Sequence, residues 1–469
     1  MSVESAATMA DLPRLVVAGL SGESGKTLVS LALLLEAGRR GIPARAFKKG
    51  PDYIDSAWLE WASQKPARNL DTYLMGFVRV VDSFASNAVP GGFNLVEGNR
   101  GLYDGADARG THSTAELAKA LQAPVVLVVN ATKVTRTAAA LVLGCQRLDP
   151  DVRIAGVVVN RVSGARHERI VREAIESVCG IPVLGVVPRL GAGMLLPTRH
   201  LGLVTPREHP QRGLLAQDLA GLVAAHLDFD RLMAIACQQP PVAMPPVPLR
   251  EPPAGDGLTI GYLDDAAFSF YYPENLEALQ AAGARLVAIS ALTSASLPDG
   301  LDALYIGGGF PETHAETLSG NSSFLASIRR AARAGLPVYA ECGGLMLLSR
   351  TLTWRGAKYE MSGVLGFDVE VCDVPQGHGY TEILVDTANP FFPIGTLLRG
   401  HEFHYSRMVL DDDVPSTACA VHRGTGCFPG RDAVVTANVW AAYTHLHAIG
   451  TPQWARAILS VARGAHVVV

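Results

Sequence analysis

A cysteine between a strand pattern and a pair of glycines is the feature of this chain best suited to covalent chemistry. Leu336-Pro337-Val338-Tyr339-Ala340-Glu341-Cys342-Gly343-Gly344-Leu345 reads as a buried strand entering a helix through a glycine-rich turn, with Cys342 at the apex. Such an elbow lifts a sulfur clear of the sheet, and the helix N-terminus stabilises thiolate and oxyanion. Free cysteine usually behaves as a small buried hydrophobe. That reading suits the other six of the seven cysteines, Cys145 and Cys179 in apolar helices among them, whereas the elbow marks Cys342 as a nucleophile. Thirteen histidines supply candidate bases, clustered as His401-Glu402-Phe403-His404-Tyr405 and Tyr443-Thr444-His445-Leu446-His447, and spacing does not choose among them. Tyr305-Ile306-Gly307-Gly308-Gly309-Phe310-Pro311-Glu312 ends a strand in a loop whose amides can join the Gly343 N–H in an oxyanion hole. A plain strand-ending turn is the competing reading.

The N-terminal half carries a different chemistry. Gly19-Leu20-Ser21-Gly22-Glu23-Ser24-Gly25-Lys26-Thr27 lies between a strand and a helix and is one residue longer than the common G-x-x-x-x-G-K-[ST] form. Its glycines let successive N–H groups face phosphate oxygens, Lys26 neutralises their charge, and the Thr27 hydroxyl can ligate Mg²⁺. Glu97 closes a strand as a metal-holding acid would. Phe47-Lys48-Lys49-Gly50-Pro51-Asp52-Tyr53-Ile54-Asp55 follows another strand at the edge where ligands gather in such sheets. Either these lysines and aspartates clamp phosphate and metal, or they form a polar loop with Asp55 capping the next helix.

These segments sit in an alternating pattern. Leu15–Ala18, Ala44–Phe47, Asn94–Val96, Val125–Val129, Ile154–Val159 and Val183–Val187 read as strands buried on both faces of a parallel sheet. Lys26–Arg40, Thr114–Leu121, Arg136–Leu148 and His167–Val178 read as helices between them. In the second half Leu258–Leu263, Arg285–Ile289, Ala303–Ile306 and Pro337–Ala340 read as strands, and Pro273–Ala282, Ser323–Ala334 and Gly343–Ser349 as helices. Doubly wound α/β is expected in both halves. Residues 238–257, QQPPVAMPPVPLREPPAGDG, favour an extended linker and divide a domain over 12–237 from one over 258–469.

Composition agrees with a large enzyme. Of 469 residues, 48% are hydrophobic and 18% charged, and 40 Lys plus Arg against 44 Asp plus Glu give a net charge of −4. No basic surplus points to nucleic acid or an anionic membrane. No apolar run reaches the roughly 18 residues of a membrane-spanning helix, and Met1–Asp11 lacks the marks of a signal peptide, so a cytoplasmic location is expected. The cysteines, scattered without a CxxC, do not suggest a disulfide framework or zinc site.

The glycine-rich loop, FKKGPDYID, RNLD at Arg68–Asp71, VEG at Glu97, YYPENLEAL at Tyr271–Leu279, YIGGGFPE, ECGG, HEFHYS and YTHLH occur in this order. Over Leu15 to His447 the chain resembles the cobyrinate a,c-diamide synthase family of glutamine-dependent tetrapyrrole amidotransferases. The resemblance implies a dethiobiotin-synthetase-like ATP domain followed by a class I-type glutaminase domain. It implies Cys342 as nucleophile, His445 as its base, and Gly309 and Gly343 at the glutamine. Ser21, Gly22, Glu23, Ser24, Gly25, Lys26 and Thr27 would hold the phosphates of ATP, with Lys48 assisting phosphoryl transfer. Asp52, Asp55 and Glu97 would be the metal and substrate acids, Thr27, Asp52 and Glu97 holding Mg²⁺, and Asn160 would read adenine. Glutamine and an anionic tetrapyrrole are the implied partners. Ammonia released at Cys342 would pass inside the protein to a carboxylate activated by phosphorylation. A homodimer is left open.

Two departures bear on this. His447 stands where class I glutaminases usually have a Glu, so the orienting partner of the base is not identified. Asn99-Arg100 after Glu97-Gly98 is closer to members acting on sirohydrochlorin-derived rings, where Arg100 would pair with a ring carboxylate. Nickel-sirohydrochlorin a,c-diamide synthase and siroheme amidase are therefore the alternatives within the family. A non-catalytic P-loop regulatory module with a degenerate glutaminase fold, or a simple partition-type NTPase, are alternatives of another class.

Overall fold

A computed structural model describes residues 8–190, 198–199, 202–246, 257–410 and 414–464. The chain divides into two compact units, Met1–Pro248 and Leu249–Val469.

The first unit is built on a seven-stranded sheet in the order Arg68–Leu70, Ala44–Lys49, Phe93–Glu97, Arg14–Gly19, Val125–Asn130, Ile154–Val162, Val183–Pro188. Every pairing is parallel. Runs such as Val125–Val129 are buried on both faces, as a sheet covered on each side by helices requires. The chain starts in the middle, builds outward on one side through Ala44–Lys49, and then crosses to the other at Val125. Ligands bind at the carboxyl edge of such a switch point. The ends of Arg14–Gly19, Ala44–Lys49 and Phe93–Glu97 are thereby brought together. Helices Tyr53–Ser63, Phe77–Asn87, Arg212–His226 and Phe229–Cys237 add to those expected from the apolar pattern.

The segment expected as a linker is partly structured. Val242–Ala243 pairs antiparallel with Met9–Ala10. Two residues with free N–H groups between prolines suffice for a short edge ladder. Residues 247–256 of that segment lie outside the described residues.

The second unit carries a ten-stranded sheet, and doubly wound topology holds for only half of it. Arg285–Ile289, Thr259–Leu263, Ala303–Ile306, Val338–Glu341 and Val439–Ala442 are parallel. Beyond them Arg431–Thr436, Thr417–Arg423, Gly377–Val385, Leu397–His404 and His445–Leu446 run antiparallel. This stretch has no helical spacing between its strands, so the chain returns by turns instead of crossovers. Val439–Ala442, the last of the parallel strands, and His445–Leu446, at the far end of the antiparallel part, are separated by only two residues, so the antiparallel part curls back on itself.

Alternation along the parallel strands sends Leu304, Ile306, Val338 and Ala340 into one core and Tyr305, Tyr339 and Trp440 into the other. Tyr339 stacks on Trp440 at 6.2 Å between ring centroids and 7° between planes. These two rigid layers fix the end of Val338–Glu341, from which the cysteine projects.

Candidate active sites

In the first unit the glycine-rich loop wraps the start of helix Lys26–Arg39. Gly25 has φ +97, a left-handed conformation, and a Cβ there would come within 2.2 Å of Asn160 Nδ2. Asn160, at the carboxyl end of its strand, donates from Nδ2 to the Ser24 carbonyl at 2.9 Å and so braces the loop. Lys26 Nζ donates to the carbonyls of Ser21 and Arg100, each at 2.8 Å, folding back over its own loop. Burial, with repulsion from Lys48, draws its ammonium down to about 8 against the pull of Glu97, Asp55 and Asp104.

Next to the loop lies a charge cluster. Lys48 Nζ donates to Asp55 Oδ2 at 2.6 Å, Glu97 Oε1 at 2.7 Å and the Gly98 carbonyl at 3.2 Å. Thr27 Oγ1 donates to the same Glu97 Oε1 at 3.0 Å. Burial alone would lower the Lys48 ammonium, but Asp55, Glu97 and Asp52 outweigh it and keep it charged. Burial, then repulsion from Asp55, carries Asp52 up to about 6, with Lys48 opposing. Glu97 is pushed up by burial, against the attraction of Lys48. Three carboxylates around one lysine leave excess negative charge, and Glu97 Oε2 is buried without a hydrogen-bond partner among the described residues. That orphaned oxygen beside the Thr27 hydroxyl suits a divalent cation arriving with a nucleotide, which needs only one or two protein oxygens. Among the described residues no group of three or more His, Cys, Asp or Glu forms a metal cage by itself. The helix cap is Asp52, not Asp55: Asp52 Oδ1 accepts from the Asp55 N–H at 2.8 Å, which leaves the Asp55 carboxylate to Lys48. Arg100 is exposed, in a left-handed conformation with φ 47.

In the second unit Cys342 occupies the elbow. Its φ of 49 and ψ of −99 are strained for a residue with a side chain, a conformation retained where function requires it. Helix Gly343–Leu348 starts immediately after it. A Cβ on Gly343 would lie 3.0 Å from the Gly309 nitrogen, so the two expected oxyanion glycines are neighbours. Burial pushes the Cys342 thiol far up, Glu312, Glu341 and Glu402 add to it, and the Gly343 N–H only partly opposes. Burial thus favours the thiol over the thiolate.

His445 is the histidine brought to this place. A Cβ on Gly308 would come 2.6 Å from His445 Cε1, which puts the ring against the loop that ends at Gly309. His445 Nδ1 lies 3.5 Å from Glu341 Oε2, and Glu341 Oε1 accepts from the Leu446 N–H at 3.1 Å. His401 stacks on His445 at 4.9 Å and 19°, its imidazole held well below the ordinary range by burial and by its histidine neighbours. Asp432 accepts from Cys427 Sγ–H at 3.0 Å and from the N–H groups of Tyr443 and Thr444, both at 3.1 Å, fixing the turn just before His445. Asn275 holds the other side, donating to the Leu446 carbonyl and accepting from the Ala448 N–H. His447 turns away, with Nε2 3.7 Å from Glu274 Oε2. His404 is engaged elsewhere, with Nδ1 2.7 Å from the Ser406 carbonyl.

Sequence reasoning missed Glu341 and Asp432. Glu341 directly precedes Cys342, and a carboxylate on the strand carrying that cysteine was the available signal. Asp432 had no signal, because its partners come from another strand.

A strained cysteine elbow with a histidine and a carboxylate beside it in one unit, and a phosphate-binding loop with a lysine–carboxylate cluster in the other, fit a glutamine-dependent ligase. Residues 259–452 match the CobB/CobQ-like glutamine amidotransferase domain, and residues 15–203 the CobQ/CobB/MinD/ParA nucleotide binding domain. Proteins named cobyrinate a,c-diamide synthase are similar along nearly the whole chain. The one from Magnetococcus marinus is 41% identical over 95% of this chain and 96% of its own. Those from Syntrophotalea carbinolica and Archaeoglobus fulgidus are 40% and 39% identical, over 96% and 95% of this chain and 99% and 96% of theirs. The chain belongs to the cobyrinate a,c-diamide synthase family.

Proposed function

We propose that this enzyme uses ATP to activate the a and c acetate carboxylates of a cobyrinate-type tetrapyrrole and converts them to amides with ammonia from glutamine. The observation that carries the proposal is the Lys48 ammonium held between Asp55 and Glu97, with Thr27 of the phosphate loop on the same Glu97 oxygen. A cationic donor, acids and a phosphate cradle at one point suit phosphoryl transfer to a carboxylate.

In the glutaminase unit His445 takes the proton of Cys342, and the sulfur attacks the side-chain carbonyl of glutamine. The N–H groups near Gly309 and Gly343 receive the oxyanion, and the C–N bond breaks as His445 returns the proton to the leaving ammonia. Water then cleaves the thioester to glutamate. In the nucleotide unit Ser21–Thr27 hold the phosphates of ATP, Asn160 reads the adenine, and Lys48 neutralises charge on the group in transfer. Thr27, Asp52 and Glu97 would hold Mg²⁺, which supplies charge neutralisation at the phosphates when bound. The substrate carboxylate takes the γ-phosphoryl group, ADP leaves, and ammonia displaces phosphate to give the amide. Activation is required because a carboxylate is a poor electrophile. A dedicated supply of neutral ammonia is required because it is mostly protonated near pH 7.

The test is mass spectrometry of products from ATP, glutamine and each of cobyrinate, nickel-sirohydrochlorin and siroheme. A mass change of one or two carboxyl-to-amide conversions on cobyrinate is expected. Amidation of a sirohydrochlorin-derived ring alone would select the reading favoured by Asn99-Arg100. No amidation of any ring would overturn the proposal.

A further inference from the structure

Lys48 and Lys49 are successive residues at the end of one strand and therefore project to opposite faces of the sheet. Lys48 is saturated by two carboxylates and a carbonyl. Lys49 is buried to 4% exposure, yet its ammonium makes no hydrogen bond or ion pair among the described residues. The side chain is sunk into the protein but the ammonium itself is not fully enclosed, so its charge stays within reach of a ligand at the carboxyl edge of the sheet. The charges within electrostatic reach of it are Asp71, which attracts, and Lys48 and Arg100, which repel. Asp71 is the one anion among them, and the two cations favour a second.

The surroundings continue this pattern. Asp71 caps the helix Thr72–Met75, and the residues that follow it meet His112. Thr72 Oγ1 lies 2.9 Å from His112 Nδ1, Tyr73 packs edge-on against that ring at 5.4 Å, and Phe77 stacks on it at 5.9 Å and 21°. Phe77 is 41% exposed. His112, like Arg100, has a left-handed backbone, with φ 61. A lysine near Asp71, the cap of the helix that leads to this partly exposed aromatic face, matches a large apolar ring that carries carboxylates at its rim.

We propose that Lys49 binds a carboxylate of the macrocycle that is not being phosphorylated, and so sets which acetate reaches the Lys48–Glu97 cluster. This rests on the reading given under Proposed function and adds a residue to it. Burial already draws the Lys49 ammonium down, and a carboxylate ligand would restore it.

The test compares Lys49→Met with Lys49→Gln and Lys49→Arg in the full-length enzyme, using the macrocycle that the unaltered enzyme amidates. For Met and Gln the macrocycle KM should rise about 10- to 100-fold, the loss of one charge-assisted contact, while the KM for ATP stays within about twofold. Lys49→Arg should retain most of the affinity. An unchanged macrocycle KM, a rise in the KM for ATP of the same size, or variants that fail to fold would each overturn the inference while leaving the proposed reaction standing. Absence of macrocycle amidation by the unaltered enzyme would remove both.

Discussion

Glu341 and His445 lie on different strands, yet the carboxylate Oε2 of one is 3.5 Å from the imidazole Nδ1 of the other. Glu341 immediately precedes Cys342, so one strand end carries both the cysteine of the elbow and the carboxylate beside His445. Tyr305 Oη donates to the same Oε2 at 3.2 Å and holds it in place. In the proposed mechanism Nδ1 faces Glu341 and Nε2 is the nitrogen that would serve the sulfur.

Glu341→Gln keeps the shape but offers an amide in place of a carboxylate. Glutamine hydrolysis should fall about 10²-fold or more in kcat, with KM for glutamine little changed, as when the acid of a triad is neutralised. Steady-state kinetics of glutamate formation checks this. An undiminished kcat would remove Glu341 from the machinery.

Cys342→Ala should abolish glutamine-driven amidation, by about 10³-fold or more, while ammonium salts at high concentration restore product. The substitution leaves the nucleotide unit intact. A folded variant that no ammonium concentration rescues would contradict ammonia as the species consumed.

Glu97→Gln should separate the two chemistries in the opposite sense. It removes the acid shared by Thr27 and Lys48, so amide formation should drop about 10²-fold or more while ammonia is still released from glutamine. Parallel assays of ADP, ammonia and amide distinguish this from unfolding, which would remove all three.

The Lys26 ammonium, drawn down to about 8, is expected to make nucleotide binding pH-dependent. Phosphates favour its charged form, so binding takes up a proton once the free protein has lost it. Affinity for ATP should hold below about pH 8 and then fall with rising pH, by at most roughly tenfold per unit. Calorimetry in phosphate and in Tris at pH 8.5 should reveal the uptake, and Lys26→Arg should abolish it. A flat affinity between pH 7 and 9.5 would contradict the role of Lys26.

Asp432 receives several N–H groups and a thiol in a fully buried position. Asp432→Ala should destabilise the glutaminase unit by about 3–5 kcal/mol, by leaving these donors unsatisfied. Asp432→Asn should cost less, yet still slow glutamine hydrolysis by loosening the turn before His445. Urea denaturation with kinetics at matched folded fraction checks both.

Much was determined by contiguous stretches of sequence. Gly19–Thr27 is a phosphate cradle, and Ala340–Gly344 an elbow, because the necessary glycines, lysine and cysteine are neighbours along the chain and their local conformation follows from their types. The parallel strands of the first unit were legible in the same way, from short β-branched runs between helical spacings. The antiparallel half of the second sheet was not, since period-two segments such as Gly377–Val385 do not state their partners. Nor could spacing give the cap at Asp52, the saturation of Lys48, the isolation of Lys49, or Glu341 as the partner of His445. Each depends on which strand ends lie side by side and how deeply they are buried. Strand order and burial are properties of the folded chain, decided by the packing of both sheet faces at once, and only the tertiary structure supplies them.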